Sequence, residues 1–276
     1  MDKILEVNQL SKVYGKGCPS CFELTGPEHN TNICPQCGSI IAIHDVSFDL
    51  YKGEILGIMG ESGSGKSTAV KCLYFDQPPT SGNATFYDND KQYDLFTMNA
   101  AQQRQIANKR FGMVYQNPHL GLNFDISAGG NIAERLLMSD VKNYADIRSR
   151  ASNLLTRTEV LIERMDELPK NFSGGMQQRV QIAKALAINP PLLFLDEVTT
   201  GLDLSVQAAI LDLILEIQQE QATAMIVVTH DLGVIRLLAG RTLVMKYGRI
   251  IESGLTDQIL EDPQHAYTQR LVASAL

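Results

Sequence analysis

The stretch Gly60-Glu61-Ser62-Gly63-Ser64-Gly65-Lys66-Ser67 decides the fold that this sequence predicts. It has the spacing G-x-x-x-x-G-K-S and directly follows the apolar run Ile55-Leu56-Gly57-Ile58-Met59. Glycines at these positions let backbone N–H groups turn inward around phosphate oxygens, the lysine can reach the β- and γ-phosphates, and the serine can bind magnesium. Residues 67–73 suit a helix whose positive N-terminal end faces the anion. The stretch therefore predicts a strand, a phosphate-binding loop and a helix that bind a nucleotide.

Length and composition limit the class of protein. The chain has 276 residues, of which 44% are hydrophobic, so it can bury one large core or one core with an inserted lobe. Its formal net charge of -7 argues against a general nucleic-acid-binding surface, and no nucleic-acid partner is expected. No run of 18 apolar residues occurs, and the N-terminus lacks a signal-peptide core. These features predict a cytosolic protein that meets a membrane only through a partner, at its inner face.

Four cysteines form a C-x2-C-x12-C-x2-C pattern at Cys18, Cys21, Cys34 and Cys37. Two short Cys-Pro-x-Cys turns can present four thiolates to one tetrahedral ion. Structural zinc is the favoured ligand, with iron or an iron-sulfur centre and four inert thiols as alternatives. Zinc would either tie down an insertion too small for its own core or build a docking site for a partner.

Three further metal-ligating side chains are assigned ordinary roles. His29 and His44 lie near the cysteine pattern in sequence. Because four cysteines already fill a tetrahedral coordination sphere, both histidines are expected to be surface residues. Cys72 belongs to the helix after the phosphate loop and is expected to be a buried, inert thiol.

Apolar runs and turn residues predict the remaining organisation. Residues 4–10 are strand-like, the alternation of apolar and polar residues at 46–50 predicts a half-buried strand, and residues 84–87 predict a further strand. Polar, helix-favouring sequence covers about 99–172, interrupted by the short apolar stretch 111–115. We interpret this region as a helical lobe set into an α/β core.

A second apolar strand, residues 192–195, ends in Asp196 and Glu197. Burying unpaired charge is costly, so adjacent carboxylates at such a position indicate a use for them. Asp196 can hold hydrated magnesium, and Glu197 can orient and deprotonate the attacking water. The alternative is a pair of acids on an exposed strand end, which the phosphate loop upstream makes less favourable.

The sequence Ser173-Gly174-Gly175 precedes a helix with apolar residues at Met176, Val180, Ala183 and Ala187. Ser173 is expected to cap that helix, and the glycines allow the backbone to approach a phosphate. The segment resembles the signature sequence of the ATP-binding cassette (ABC) family. The resemblance implies that this segment contacts the nucleotide held by a second subunit, so that two domains pair head to tail around two ATP molecules.

Other segments resemble the remaining ABC elements in the family's order. The resemblance implies that Gln116 senses magnesium and water, that Asp203 lies in a loop crossing the dimer interface, and that His230 contacts the γ-phosphate. Tyr14 resembles the aromatic residue that stacks on adenine, although the cysteine pattern lengthens its distance from the phosphate loop. The chain departs from the common pattern at Val198, where the family commonly has proline, and at both ends of the signature.

The resemblance implies an α/β ABC nucleotide-binding domain with a RecA-like core, an antiparallel β subdomain, an inserted helical subdomain and a small zinc-ribbon-like insertion at about 16–42. The implied catalytic residues are Glu197, His230 and Gln116. ATP contacts are expected from Tyr14, Gly60, Glu61, Ser62, Gly63, Ser64, Gly65, Lys66, Ser67, Thr68, Ser173, Gly174, Gly175 and Asp203. Magnesium is expected at Ser67, Gln116 and Asp196, and zinc at Cys18, Cys21, Cys34 and Cys37.

Closer likeness within the family lies in Ala128-Gly129-Gly130-Asn131-Ile132, in the signature region and in the tail at residues 262–269. These segments are similar to ABC proteins of the bacterial phosphonate carbon-phosphorus lyase system. Dipeptide and oligopeptide importer ATPases have a similar Pro-x-His-x-Tyr-Thr pattern in their tails. Three hypotheses result: an ATPase attached to a soluble lyase-like complex, the motor of a membrane importer with a permease partner, and a nucleotide-dependent scaffold with little turnover.

Overall fold

The computed structural model describes residues 2–89 and 91–274, which divide into two compact units. Unit 1 comprises the chain up to Gln103 together with the chain from Ile226 onward, and unit 2 is Arg104–Met225. Unit 1 contains β1 Lys3–Tyr14, β2 Ile40–Tyr51, β3 Ile55–Met59, α1 Lys66–Leu73, β4 Ser81–Asp88, β5 Lys91–Asp94, α8 Leu232–Leu238, β9 Arg241–Lys246, β10 Arg249–Leu255, α9 Thr256–Glu261 and α10 Ala266–Ala273.

Unit 2 contains β6 Phe111–Val114, α3 Pro118–Gly121, α4 Ala128–Met138, α5 Tyr144–Arg157, α6 Gly174–Leu186, β7 Leu192–Asp196 and α7 Leu204–Gln221. Two elements cross the boundaries between the units, α2 Ala100–Lys109 and β8 Ala224–Val228. Short 3₁₀ helices occur at Pro27–His29, Ile162–Arg164 and Pro169–Asn171.

An antiparallel sheet of order β2-β1-β4-β5 forms one layer of unit 1. Leu5 and Leu50 lie opposite each other in β1 and β2, and both side chains are fully buried. The two strands stay paired as far as Tyr14 opposite Ile40, beyond the predicted end of β1 at residue 10. Register shifts along β1 let the longer strand remain on its neighbours. The cysteine-containing residues 15–39 therefore leave and rejoin the sheet at adjacent positions.

The second sheet of unit 1 carries the phosphate loop. β9 lies between β10, with which it is antiparallel, and β3, with which it is parallel, and β8 follows on the other side of β3. All five residues of β3 are buried, as expected for a strand covered on both faces. The predicted strand at 55–59 and the helix that follows it are confirmed. Strand ends at this sheet edge are where α/β proteins commonly place ligand-binding loops.

Unit 2 has its own core, built mainly by helices. The parallel pair β6 and β7 is fully buried, with Val114 opposite Leu195. Helices α4, α5 and α6 bury a shared apolar cluster that includes Ile132, Leu155 and Val180. Helix α7 also buries an apolar face, at Ile210, Leu213, Ile214 and Ile217. The predicted α/β fold with an antiparallel sheet and a helical region is thus confirmed.

Within residues 2–89 and 91–274, every helix is too short or too polar to cross a membrane.

Candidate nucleotide site and cysteine cluster

The loop between β3 and α1 turns tightly at two glycines. Gly60 has φ 147° and Gly65 has φ 104°, in the region that favours glycine. A Cβ atom on Gly60 would lie 2.2 Å from the Met245 carbonyl oxygen, and one on Gly65 would lie 2.2 Å from the Ala42 carbonyl oxygen. These contacts with backbone atoms leave room for glycine alone. The loop is therefore shaped by the two chain segments on which it rests.

Lys66 lies across the loop and is 4% exposed. Its ammonium group donates hydrogen bonds to the carbonyl oxygens of Gly60 at 2.7 Å and Glu61 at 2.9 Å, and to Ser64 Oγ at 3.4 Å. A buried lysine needs such partners, because an isolated ammonium is strongly destabilised away from water. This arrangement holds a positive charge inside the loop, where it can meet phosphate oxygens.

The other predicted members of the loop occupy two environments. Residues 61–63 are exposed at the tip, whereas Ser64 is buried. Ser67 and Thr68 lie half-buried in the first turn of α1, whose backbone N–H groups form an anion-binding end. The sequence-predicted phosphate contacts of unit 1 are therefore brought together in one loop and one helix N-terminus.

Tyr14 ends β1 and is 37% exposed. Its hydroxyl group donates a hydrogen bond to Gln77 Oε1, and the Lys12 ammonium lies 5.2 Å from the ring centroid. The ring is consequently held by its neighbours while keeping part of its surface open to solvent. An aromatic ring in this state can stack on a nucleobase.

His230 is exposed and follows β8. The preceding residue, Thr229, donates its backbone N–H to the Ile58 carbonyl oxygen at 3.3 Å. The next residue, Asp231, caps α8 through hydrogen bonds from the Gly233 and Val234 N–H groups at 2.8 and 3.3 Å. His230 is thus fixed on both sides, at the same end of the sheet as the phosphate loop that follows β3.

Two of the predicted catalytic residues meet in unit 2. Gln116 follows β6 and Glu197 follows β7, and Gln116 Nε2 donates a hydrogen bond to Glu197 Oε2 at 2.7 Å. Thr200 Oγ1 lies 3.4 Å from the same carboxylate oxygen. Parallel strands bring these positions together because their carboxyl ends share one edge of the sheet. The pair can orient a water molecule beside a carboxylate base.

Asp196 and Glu197 differ in burial and backbone conformation. Asp196 is 2% exposed, so its carboxylate lies inside the unit. Glu197 has φ 49°, in the left-handed region that non-glycine residues rarely adopt. Such backbone strain is concentrated at functional sites. Asp196 is therefore suited to bind a metal ion inside the unit. Glu197 is only partly buried and is suited to contact solvent or substrate.

The signature residues Ser173-Gly174-Gly175 form the start of α6. Ser173 caps the helix, since its Oγ accepts a hydrogen bond from Met176 N at 3.3 Å. Ser173 and Gly174 are exposed, and a Cβ atom on Gly174 would meet no described atom within 4 Å. The helix N-terminus is therefore open at the surface of unit 2, and the predicted cap is confirmed.

Asp203 caps α7. Its Oδ1 accepts hydrogen bonds from Val206 N at 3.0 Å and from Ser205 Oγ at 2.7 Å. These bonds, the one from Val206 first, hold the pKa of Asp203 below its usual range. The adjacent Leu204 is 84% exposed. The carboxylate thus fixes the loop that carries this exposed side chain, a capping role that the sequence interpretation missed.

Gln178 and Gln181, on α6, were also missed by the sequence interpretation. They are 4% and 1% exposed. Gln181 accepts from Tyr115 N at 2.8 Å and donates to the Tyr115 carbonyl oxygen at 3.0 Å, and Gln178 Nε2 donates to that oxygen at 3.3 Å. Gln181 therefore satisfies both backbone groups of the residue before Gln116. The available signal was two amides, three residues apart, on an otherwise apolar helix face.

The four patterned cysteines converge in unit 1. Their sulfur atoms all lie within 4.8 Å of one another. The separations are 3.5 Å for Cys18 and Cys21, 3.7 Å for Cys18 and Cys34, and 3.4 Å for Cys21 and Cys37. Zinc–sulfur bonds of about 2.3 Å in a tetrahedron place sulfurs about 3.8 Å apart. The cluster therefore fits a four-thiolate metal site.

The local environment shifts the pKa values of two of these thiols in opposite directions. Burial raises the pKa of Cys21 to about 12, whereas hydrogen bonds from Ser39, side chain first and then backbone, lower the pKa of Cys37 to about 6. Burial raises the pKa of Cys72 to about 11. Cys72 is completely buried, so its predicted state is confirmed.

The prediction that His44 is an ordinary surface residue is wrong. Its ring stacks on Phe22, with centroids 4.1 Å apart and planes inclined by 12°. Its Nδ1 is buried and has no hydrogen-bond partner among the described residues. Phe22 belongs to the cysteine-containing segment, and it lies beside His44 because that segment folds back towards β2. His29, by contrast, is exposed as expected.

Comparisons with known proteins agree with these features. The ABC transporter family matches residues 43–200. The phosphonates utilization ATP-binding protein PhnK of Escherichia coli K12 is 51% identical over 232 residues, covering 84% of this chain and 90% of that protein. The oligopeptide transport ATP-binding protein OppD of Bacillus subtilis 168 is 40% identical over 244 residues, covering 86% of this chain and 67% of that protein.

A solved structure supports the same conclusion. The dimeric, post-hydrolysis ATP-binding cassette MJ0796, bound to ADP and phosphate, is 27% identical, with a TM-score of 0.78 over 92% of this chain and 99% of the other. Along this chain the phosphate loop comes first, the capped signature helix second and the strand-end acids third. The chain therefore belongs to the ABC transporter family of ATPases.

Proposed function

We propose that this protein binds and hydrolyses ATP, pairs with a second ABC subunit when ATP is bound, and couples hydrolysis to a complex of the phosphonate carbon-phosphorus lyase type. The observation that carries the proposal is the Gln116–Glu197 pair, with its 2.7 Å hydrogen bond. It supplies a positioned carboxylate base in a chain that also has a complete phosphate loop. A nucleotide-dependent scaffold would need the loop but not this pair.

The proposed chemistry assigns a task to each of the predicted site residues. The phosphate loop and Lys66 bind the phosphates, and His230 contacts the γ-phosphate. Glu197 accepts a proton from the attacking water, which Gln116 helps to orient. Magnesium, held by Ser67, Asp196 and Gln116, would neutralise charge on the phosphate oxygens. The hydroxyl, carboxylate and amide oxygens of these residues are ligands of the kind that a hard cation takes. Positioning and charge neutralisation supply most of the catalysis.

Pairing would complete each ATP site. The open N-terminus of α6 at Ser173-Gly174-Gly175 offers backbone N–H groups to an anion. We assign this surface, with the loop at Asp203, to the nucleotide bound by the second subunit. ATP then holds two subunits together, and its hydrolysis lets them separate.

The partner complex is inferred from similarity. PhnK of Escherichia coli matches 84% of this chain at 51% identity, which favours a cytoplasmic assembly that processes phosphonates. A second candidate is the ATPase of a peptide importer, which would work at the inner face of the membrane with a permease. OppD and DppD of Bacillus subtilis support it at 40% and 38% identity.

We further propose that Cys18, Cys21, Cys34 and Cys37 hold one structural zinc ion. Sulfur separations of 3.4–3.7 Å support a tetrahedral site. When zinc binds, it displaces the thiol protons. Its positive charge then offsets the repulsion between the four thiolates.

Purification of the tagged protein from its native cell, followed by identification of co-purifying subunits, tests the partner. Soluble lyase-like subunits are expected. A membrane permease in their place would move the assignment to the importer, and recovery of neither with ATPase activity absent would support the scaffold. Elemental analysis tests the metal, since carefully prepared protein should contain about one zinc ion per chain, as a four-thiolate site requires.

A further inference from the structure

The cysteine-containing insertion and the phosphate loop contact the same turn. This turn, residues 246–249, joins β9 to β10. Residues 15–39 form the insertion between β1 and β2. All three segments belong to unit 1. The turn therefore offers a direct physical connection between the cysteine cluster and the proposed nucleotide site.

On the insertion side, the connection is made mainly by Arg249. Its guanidinium donates hydrogen bonds to the carbonyl oxygens of Phe22 at 2.8 Å and Thr25 at 3.3 Å. A Cβ atom on Gly26 would lie 2.9 Å from Arg249 Nε, so the backbone here passes directly against the arginine. Phe22 follows Cys21 immediately in sequence. Arg249 thus holds the segment that leaves the first pair of cysteines.

On the other side, the turn supports the phosphate loop. The Gly248 N–H donates a hydrogen bond to the Ser64 carbonyl oxygen at 3.0 Å. The Gly248 carbonyl oxygen accepts from His44 N at 2.8 Å, and the His44 ring stacks on Phe22 of the insertion. The turn is therefore bonded both to the loop that carries Lys66 and to the strand beside the insertion.

The insertion also fixes the end of the strand that carries Tyr14. Tyr14 lies opposite Ile40 in the register of β1 and β2. Beyond this pair, Gly17 N donates to Ser39 Oγ at 2.9 Å, and Cys34 N donates to the Ser39 carbonyl oxygen at 2.9 Å. Ser39 thereby joins both cysteine-bearing arms just past Tyr14.

The insertion has few apolar residues with which to maintain this shape. The buried cluster at its base consists of Cys21, Cys34 and Ile41, with Val13, Cys18 and Phe22 packed against them, and Ile41 and Val13 come from the flanking strands. Half of these six side chains are the proposed metal ligands. A segment with so small a core depends on a metal for its fold.

We propose that the metal-bound insertion positions the nucleotide site, with Arg249 as the positioning residue that joins the insertion to the turn behind the phosphate loop. The inference rests on the proposed binding of zinc and ATP. Loss of the metal loosens the insertion, releases the Phe22 and Thr25 carbonyl groups from Arg249, and frees both Tyr14 and the turn that supports Ser64. The protein then binds ATP more weakly although every residue of the phosphate loop is unchanged.

The experiment measures zinc content and the Kd of a fluorescent ATP analogue for the full chain and three variants. Cys37→Ser removes a metal ligand, Arg249→Ala removes the link, and the double variant removes both. We expect Cys37→Ser to lose zinc and Arg249→Ala to keep it. Each should bind ATP about 5- to 20-fold more weakly, within the usual range of coupling between two sites. The double variant should be no weaker than Cys37→Ser.

Arg236→Ala is the matched control, because Arg236 is exposed on unit 1 and pairs with Glu261 away from the turn. Hydrogen exchange of the amides at residues 60–67, measured without nucleotide, should be faster in Cys37→Ser and Arg249→Ala than in the control. If Cys37→Ser fails to fold, the native chain is stripped with a chelator and reloaded with zinc, and ATP affinity should fall and return.

Unchanged ATP affinity in Arg249→Ala, or additive losses in the double variant, would overturn the proposal. Unchanged affinity in metal-free protein would do the same. These results differ from a failure of the proposed function, in which the native chain itself would contain no zinc or would bind no ATP.

Discussion

The phenolic oxygen of Tyr267 accepts a hydrogen bond from the backbone N–H of Glu61 at 3.0 Å. Tyr267 lies on α10, is 4% exposed, and has the Lys246 ammonium 4.9 Å from its ring centroid. The contact joins the second residue of the phosphate loop to the last helix of the chain. The tail therefore contacts the backbone of the predicted phosphate loop directly.

Tyr267→Phe tests this role. The ring keeps its packing, but the Glu61 N–H loses its acceptor, and a hydrogen bond of this kind contributes about 1 kcal/mol. We expect ATP affinity to weaken roughly fivefold, measured as the Kd of a fluorescent analogue. Tyr144→Phe is the control, because Tyr144 is 73% exposed. Equal affinity in the two variants would show that the tail does not position the loop.

Glu197→Gln tests the assignment of the base. The side chain keeps its shape, so ATP should still bind, but the amide cannot accept a proton from water. We expect kcat to fall by about 10²- to 10⁴-fold, the usual contribution of general-base catalysis. Phosphate release measures turnover and equilibrium binding measures Kd. Glu216→Gln, on the exposed face of α7, should leave both unchanged. Full turnover in Glu197→Gln would reject the assignment.

Substitutions at Gln181 test how the signature helix holds Gln116. Gln181→Leu removes the side-chain acceptor for the Tyr115 N–H and one of the two amide donors to the Tyr115 carbonyl oxygen, and the loss of a buried hydrogen-bond partner costs about 1–3 kcal/mol. We expect a lower melting temperature and a lower kcat. Gln181→Glu keeps an acceptor for Tyr115 N but places a buried carboxylate against the Tyr115 carbonyl oxygen, so it should destabilise the fold at least as much as Gln181→Leu. Normal kcat in a destabilised Gln181→Leu variant would limit this residue to a structural role.

His44 predicts a pH dependence of stability. Burial, followed by the charge of Arg249, lowers the pKa of His44, while Asp45 acts in the opposite direction. The unfolded chain takes up a proton near pH 6.5, before the folded protein does, so stability should fall as the pH falls below about 6.5. His44→Phe keeps the stacking on Phe22 and removes the titrating ring. Its melting temperature should depend less on pH between 7.5 and 5.5 than that of the native chain, and identical pH profiles would contradict the prediction.

The elements that were predicted correctly are those whose formation depends on residues close together in sequence. The run at 55–59 contains no polar side chain and is followed by glycines that need positive φ, so sequence alone indicates a buried strand and a tight loop. Ser173 stands directly before a helical segment and caps it, as predicted. For the cysteines, the spacing itself brings two thiols together in each turn.

The features that sequence reasoning missed depend on contacts between distant parts of the chain. Tyr267 bonds to Glu61 across 206 positions, and Arg249 bonds to Phe22 across 227. The error at His44 has the same origin, because its stacking partner lies on the insertion rather than on its own strand. Propensity and periodicity describe neighbours in sequence, whereas these side chains are placed by the tertiary fold.

Tyr14 pairs with Ile40, so residues 15–39 begin and end at neighbouring positions of the sheet. This segment can therefore change in length without moving either strand. Doubling the length of such a connection costs only about 0.6 kcal/mol in closure entropy. This corner of the protein is therefore an insertion point, where a family member can acquire an extra segment without moving β1 or β2.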